Sequence, residues 1–197
     1  MVLPTNGSRS SLSTVEQGYL PVGLSSTSAN LTFTNNGSTS VTVHKTSGSA
    51  AWDTSAFLPR GLVAPVTIEF TKQAPASDDG TAYSMIGFTR NPLPSVSYTD
   101  IDYALYQYTT SIYEPVLLGA GQGNQGTGTW ATSARHYIVY TTSGRIRFFA
   151  GSTQRYDVFW AVGHTVFLDI AFYSVNSTSG YSNIRVINRE WNGTAYV

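Results

Sequence analysis

Short apolar runs alternate with turn-forming clusters along most of this chain, and the period inside the runs is two. Residues 65–72 (PVTIEFTK) set Val66, Ile68 and Phe70 against Thr67, Glu69 and Thr71, which predicts a strand with one buried and one wet face. Residues 41–44 (VTVH) alternate in the same way after a turn at 34–40 (TNNGSTS), whose Asn and Gly tolerate positive φ. Residues 83–90 (YSMIGFTR) place Met85 beside Ile86 and predict a strand buried on both faces. A ladder follows at 101–114 (IDYALYQYTTSIYE), where alternation puts Tyr103 and Leu105 on one face and Asp102, Ala104 and Tyr106 on the other. Further strands are predicted at 136–142, 144–149 and 165–175, with a last one around 183–186 that closes the sheet. A turn recurs about every 8–15 residues, and no long window keeps a helical period. The pattern predicts an all-β protein: a two-sheet antiparallel β-sandwich of jelly-roll type with minimal helix.

Residues 1–18 are polar and turn-rich and read as an N-terminal arm or linker, while 19–197 reads as one β-sandwich domain. Hydrophobic residues make up 41% of the 197, enough for a core, but charged residues only 11%, well below the roughly 25% usual in globular proteins. Ser, Thr, Asn and Gly carry the polarity instead, a surface suited to close contact rather than long-range steering. The 11 basic and 11 acidic side chains cancel. Nucleic-acid binding calls for a basic patch, and the densest cluster here is Arg145 with Arg147, so no nucleic-acid partner is expected. The absence of cysteine excludes disulfides, thiolate catalysis and Cys-ligated metals. No apolar run approaches about 18 residues, and no membrane insertion is expected.

Paired carboxylates are the first candidate chemistry, because glycoside hydrolysis uses two acids about 5–10 Å apart. Asp100 and Asp102 share a strand face and Glu114 lies on the neighbouring strand, so Asp102 and Glu114 form one conceivable acid–base pair. The competing reading has Asp100 ending a turn and Asp102 or Glu114 bonded to an arginine or backbone amide. Asp78-Asp79-Gly80 lacks the alternating acids of a calcium loop, and His44, His136 and His164 show no ligand spacing, so no metal and no cofactor are expected. The loop at 119–128 (GAGQGNQGTG) has five glycines in ten residues but no Lys-Ser/Thr, which argues against a phosphate cradle and for a ligand-moulding rim or a long hairpin connection.

Thirteen Tyr and four Trp in so weakly charged a chain resemble the composition of recognition surfaces. Sugar rings stack their C–H faces on such side chains, while amides and hydroxyls meet the ring hydroxyls. With alternation sending about half of the ladder's rings into the core, the candidate ligand-binding set is Tyr98, Tyr106, Tyr108, Gln122, Asn124 and Trp130.

The order YSMIGF, SYTDIDYALYQY, SIYEPVLLG, a Gly-rich loop, GRIRFFAGSTQRY and TVFLDIAFYSVNSTSGYSNIRV resembles the concanavalin-A-like jelly roll of the SPRY-like kind, over roughly residues 51–186. The chain departs from that pattern at Ser133–His136, where Gly-Asp is frequent, and at Ala150-Gly151, where Asn-Gly is frequent. The composition and polar arm also resemble bacteriophage tail-fibre and spike proteins. The resemblance implies a non-enzymatic receptor-binding module for a cell-surface glycan or protein, placed on a virion at a fibre tip, or alternatively extracellular or on a cell surface. It further implies a homo-oligomer, trimeric in such fibres, or attachment to a fibre or virion partner through the arm. The alternatives are a polysaccharide-degrading enzyme on the same fold and a structural or assembly component.

Overall fold

The computed structural model describes residues 18–26, 28–73, 83–92, 97–107, 113–117, 120–121, 134–173 and 180–197. In chain order the strands begin with β1 (Tyr19–Leu20), β2 (Ser25–Ser26), β3 (Leu31–Asn35), β4 (Val41–Lys45), β5 (Thr54–Phe57), β6 (Val66–Gln73) and β7 (Ser84–Thr89). A 3-10 turn, Tyr98–Asp100, is the one helical element among the described residues. After it come β8 (Tyr103–Gln107), β9 (Tyr113–Leu117), β10 (Ala120–Gly121), β11 (Arg135–Tyr140) and β12 (Arg145–Ala150). The last three are β13 (Thr153–Phe159), β14 (Phe167–Phe172) and β15 (Gly180–Ile187). The arm at 1–17 and the Asp78-Asp79-Gly80 turn lie outside the described residues.

These strands make two antiparallel sheets. The first has the order β13-β12-β11-β6-β15-β4-β3, with β1 added on β15; the second has the order β10-β9-β8-β7-β14-β5-β2. The period-two pattern explains how they pack. Val66, Ile68 and Phe70 of β6, with Ile138 and Tyr140 of β11, face Ile86 and Phe88 of β7 and Leu168, Ile170 and Phe172 of β14 in one continuous core. Ser84–Thr89 is buried on both faces as the doubly apolar run requires, because a second cluster of Met85, Ile101, Ala104, Val116 and Ala171 covers the outer side. Gly87 has a steric role there. A Cβ at this position would collide with the Tyr103 carbonyl oxygen and come 2.7 Å from Ala104 Cα, so only glycine lets β7 and β8 approach this closely.

The sequence reading named no strand at β3 or β5, and three further differences bear on how the sheets are closed. The outer face of β6 is not wet, for Thr67 and Glu69 are both buried. The C-terminal residues 188–197 lie over it: Thr67 Oγ1 donates to the Arg189 carbonyl (2.6 Å), and Trp191 N donates back to Thr67 Oγ1 (3.1 Å). Glu69 accepts from the Tyr196 hydroxyl between Arg135 and Arg185, each 3.5 Å away. Trp191 stacks on Tyr137 with centroids 4.4 Å apart. Alternation alone reports that a face is polar, not that a later segment will cover it. The second difference is β15, which lies between β6 and β4 inside the first sheet rather than closing it. The third is β13, which alternation missed because its first three residues are exposed. Arg145 and Arg147 do project outward, and both bind Asp157 of β13.

Candidate functional site

The second sheet's outer face carries a cluster of half-buried aromatic rings. Its floor is the Met85, Ala104, Val116 and Ala171 cluster, and the 3-10 turn lies across it against β14. Five half-buried aromatic rings gather on this floor: Trp52, Tyr83, Tyr98, Tyr106 and Tyr173. Trp52 is the hub, with ring centroids 4.8 Å from Tyr98, 5.6 Å from Tyr173 and 6.0 Å from Tyr106. Tyr83 closes the group at 5.5 Å from Tyr173 and 6.3 Å from Tyr106. All these pairs are tilted or edge-on, the geometry in which a ring's positive edge meets its neighbour's negative face.

Local sequence explains how each ring is held. Tyr106 points outward by strand alternation from Leu105 in the core. Tyr98 opens the 3-10 turn, which Ser97 caps by accepting from Thr99 N. Tyr83 and Tyr173 flank the ends of β7 and β14, and the Tyr173 amide donates to the Tyr83 carbonyl (3.1 Å). Trp52 lies in a turn segment that a buried lysine ties down. Lys45 Nζ donates to the carbonyls of Ser49 (2.8 Å), Ala51 (3.0 Å) and Tyr173 (3.2 Å) and to the Asp53 carboxylate. One charge thus meets four acceptors, which is what makes a buried ammonium tolerable.

An open depression of about 500 Å³, lined by Thr89, Arg90, Asn91, Thr99, Asp100 and Asp102, lies toward the Thr89 end of β7; none of the five rings lines it, and Tyr98 adjoins it through Thr99. Asp102 accepts from Arg90 N (2.8 Å), Arg90 Nε (3.1 Å) and Arg90 Nη2 (3.2 Å). The guanidinium also sits 5.7 Å from the Trp160 ring, so it is both paired and stacked. Hydrogen bonding to Asp102 pushes the Arg90 pKa further up. Below the 3-10 turn Asp169 is buried, and its Oδ2 meets no donor among the described residues. Burial raises its carboxyl to about 8 and nearby Asp100 adds to the rise, while the Ile170 amide opposes it. Asp169 is therefore a neutral acid at pH 7. Among the described residues no group of three His, Asp or Glu converges as metal ligands.

Of the sequence-derived candidates, Tyr98 and Tyr106 are brought together through Trp52. Tyr108, Gln122, Asn124 and Trp130 lie outside the described residues. Tyr103 faces the core, as alternation requires, and packs 4.4 Å from Trp160. Asp100 sits in the 3-10 turn rather than on a strand face shared with Asp102. The reading of Asp102 as a bonding partner of an arginine and a backbone amide agrees with the Arg90 clamp. Sequence reasoning missed Trp52, Tyr83 and Tyr173. The usable signal was position, since each is an aromatic just outside a run that is fully buried.

No protein-family model matches the chain, and no curated protein matches it significantly. Solved structures do share its fold. The TRIM65 PSpry domain superposes with a TM-score of 0.55 at 11% identity, over 87% of this chain and 92% of that one. The SPRY domain of human HERC1 gives 0.53 at 14% identity, covering 86% and 97%. The carbohydrate binding module CBM66 from Bacillus subtilis gives 0.53 at 10% identity, covering 85% and 96%. At such identities the likeness speaks to fold alone. The chain has a concanavalin-A-like, SPRY-like jelly-roll fold that diverse binding domains share.

Proposed function

We propose that this chain is a non-enzymatic recognition module that binds a cell-surface glycan or protein on the outer face of its second sheet. The observation that carries this reading is the Trp52-centred group of five half-buried rings, whose Tyr98 adjoins an open polar depression through Thr99. Half-buried rings are preorganised by their neighbours yet keep surface for a partner, so little ordering entropy is lost on binding. Arg90, Asn91, Thr99 and Asp100 supply hydrogen-bonding groups at the rim. Structures of this fold include a carbohydrate binding module and SPRY domains, which is compatible with either ligand class. The proposed setting, a fibre or spike tip on a virion, is supported by composition: a weakly charged, Ser/Thr/Gly/Tyr-rich chain with a polar arm. Shallow single-site binding there would gain from oligomerisation.

A polysaccharide-degrading reading through Asp102 and Glu114 has less support, because Arg90 donors occupy both Asp102 oxygens. A glycan array and a whole-cell adsorption assay test the proposal. Binding is expected, with Trp52→Ala weakening it about ten-fold or more, as for a central aromatic anchor. No binding to any glycan or cell surface, or a Trp52→Ala variant that binds like the parent, would overturn it.

A further inference from the structure

β13 is the outermost strand of the first sheet, and among the described residues nothing pairs with its free edge. Natural edges are commonly guarded by proline, lysine or a bend. β13 (TQRYDVF) contains no proline and no lysine. Its guards are the charges of Arg155 and Asp157 and a bulge: the register with β12 passes from Phe148↔Tyr156 to Phe149↔Gln154 and leaves Arg155 as the extra residue. Thr153, Gln154 and Arg155 are exposed, and Phe159 keeps 59% of its surface. Val162, just beyond the strand, keeps 65%. These two are among the four exposed large apolar side chains of the described residues.

The charges along the strand are self-complementary. When two copies lie antiparallel about a two-fold axis at Tyr156, Arg155 stands opposite Asp157 of the second copy. Symmetry repeats the pair. Slipping the axis to Arg155 or to Asp157 would put like charges face to face, and a one-residue slip would reverse the side-chain faces. Arg155 makes no ion pair among the described residues, while Asp157 already holds Arg145 and Arg147 and can accept one more donor.

We propose that β13 is a homodimer interface, pairing edge to edge with β13 of a second copy in the register that sets Arg155 against Asp157. The first sheets of the two copies then run on continuously, and the contact leaves the second sheets out of the interface. The partner is this same chain, because the complementarity lies within one strand. Since the bulge bends the beginning of β13, the central Arg155-Tyr156-Asp157 step carries the register.

The chain has no cysteine, so engineered thiols report the register directly. A mixture of Arg155→Cys and Asp157→Cys chains should form a disulfide-linked dimer under mild oxidation, and Arg155→Cys alone should not, because its thiols are offset along the pair. Sedimentation of the full chain should show a concentration-dependent dimer that weakens with salt. Arg155→Glu should weaken it about ten-fold or more, because both symmetric pairs become repulsive, and Arg155→Lys should preserve it. If Asp157→Cys disturbs folding, the two Arg155 charge variants decide alone, since that side chain is exposed. A monomer at every concentration, a dimer or trimer indifferent to Arg155→Glu, or crosslinking without regard to register would overturn the proposal.

Discussion

Lys72 offers the sharpest test of the packing described above. Alternation along β6 sends Val66, Ile68 and Phe70 inward, and the next inward position is Lys72, only 4% exposed. Its Nζ donates to Ser84 Oγ (2.8 Å), which shares a 2.9 Å hydrogen bond with the Tyr181 hydroxyl, and it lies 4.8 Å from the Tyr181 ring centroid. No carboxylate pairs with it among the described residues. Burial alone depresses its pKa from 10.5 to about 7. The unfolded chain therefore holds a proton between about pH 7 and 10.5 that the folded chain lacks, so stability rises with pH across that window. The full shift is worth about 5 kcal/mol at about 1.4 kcal/mol per pH unit. Of this about 4 kcal/mol is lost at pH 7 and about 2 at pH 9. Lys72→Met keeps the volume, removes the charge and leaves the Ser84–Tyr181 bond in place, at the loss of one hydrogen bond worth about 1 kcal/mol. The variant should thus be more stable than the parent by about 3 kcal/mol at pH 7, with the advantage gone near pH 10. Urea unfolding of both proteins, followed by tryptophan fluorescence from pH 6 to pH 10, measures the difference. Other titrations, including those of His136 and Asp169, occur in both chains and cancel. A difference that does not change with pH, or a variant less stable at pH 7, would refute the account of Lys72 as a desolvated and unpaired amine.

Three further outcomes follow from the same geometry. Gly87→Ala drives a Cβ into the backbone of β8 and should cost about 3 kcal/mol, read by calorimetry as a fall in Tm of about 6–12 °C. Asp169→Asn removes a carboxyl that is protonated when folded up to about pH 8 but ionised when unfolded above about pH 4. The parent should lose stability as pH rises through that range, and the variant should gain on it between pH 5 and pH 8 in matched urea titrations. Lys45→Met strips the carbonyls of Ser49, Ala51 and Tyr173 and the Asp53 carboxylate of their shared donor. It should cost about 2–3 kcal/mol and accelerate hydrogen exchange in the Trp52 segment.

Much of the architecture was legible because the sandwich needs only a period of two. β6, β7, β8, β11, β12 and β14 fall where alternation or unbroken burial places them, and the faces assigned to Tyr103, Leu105, Ala104 and Tyr106 agree with the packing. Alternation is a local property, though, and what it lost was non-local. It ranked β6 as half wet because nothing in PVTIEFTK announces that Trp191 and Tyr196, more than a hundred residues on, will cover Thr67 and Glu69. It missed β13 because an edge strand buries too little for a period to show. Nor did it find Lys72 and His136 inside the sandwich. Burial holds His136 neutral, at about 4, against a smaller opposing effect of the Ala134 backbone. Both occupy inward positions of otherwise apolar strands, where pattern reading sees the strand and passes over the exception.

The site was legible only in part, and the reason lies in how the fold divides its aromatics between its two outer faces. Tyr137, Trp191 and Tyr196 stack on one another, with the Tyr196 hydroxyl on Glu69, so their binding capacity is spent on closing the first sheet. Tyr98 and Tyr106 belong to the other face, where among the described residues no C-terminal segment packs and where their ring neighbours Trp52, Tyr83 and Tyr173 are half-buried. Composition counts all these rings alike, and strand alternation separates only inward from outward. What separates a covering ring from a recognition ring is whether a later segment of the same chain has already packed on it. That criterion is the basis for proposing the outer face of the second sheet, rather than that of the first, as the recognition surface. The first sheet, closed on its face, has β13 as its outer strand, the edge proposed above for pairing with a second copy.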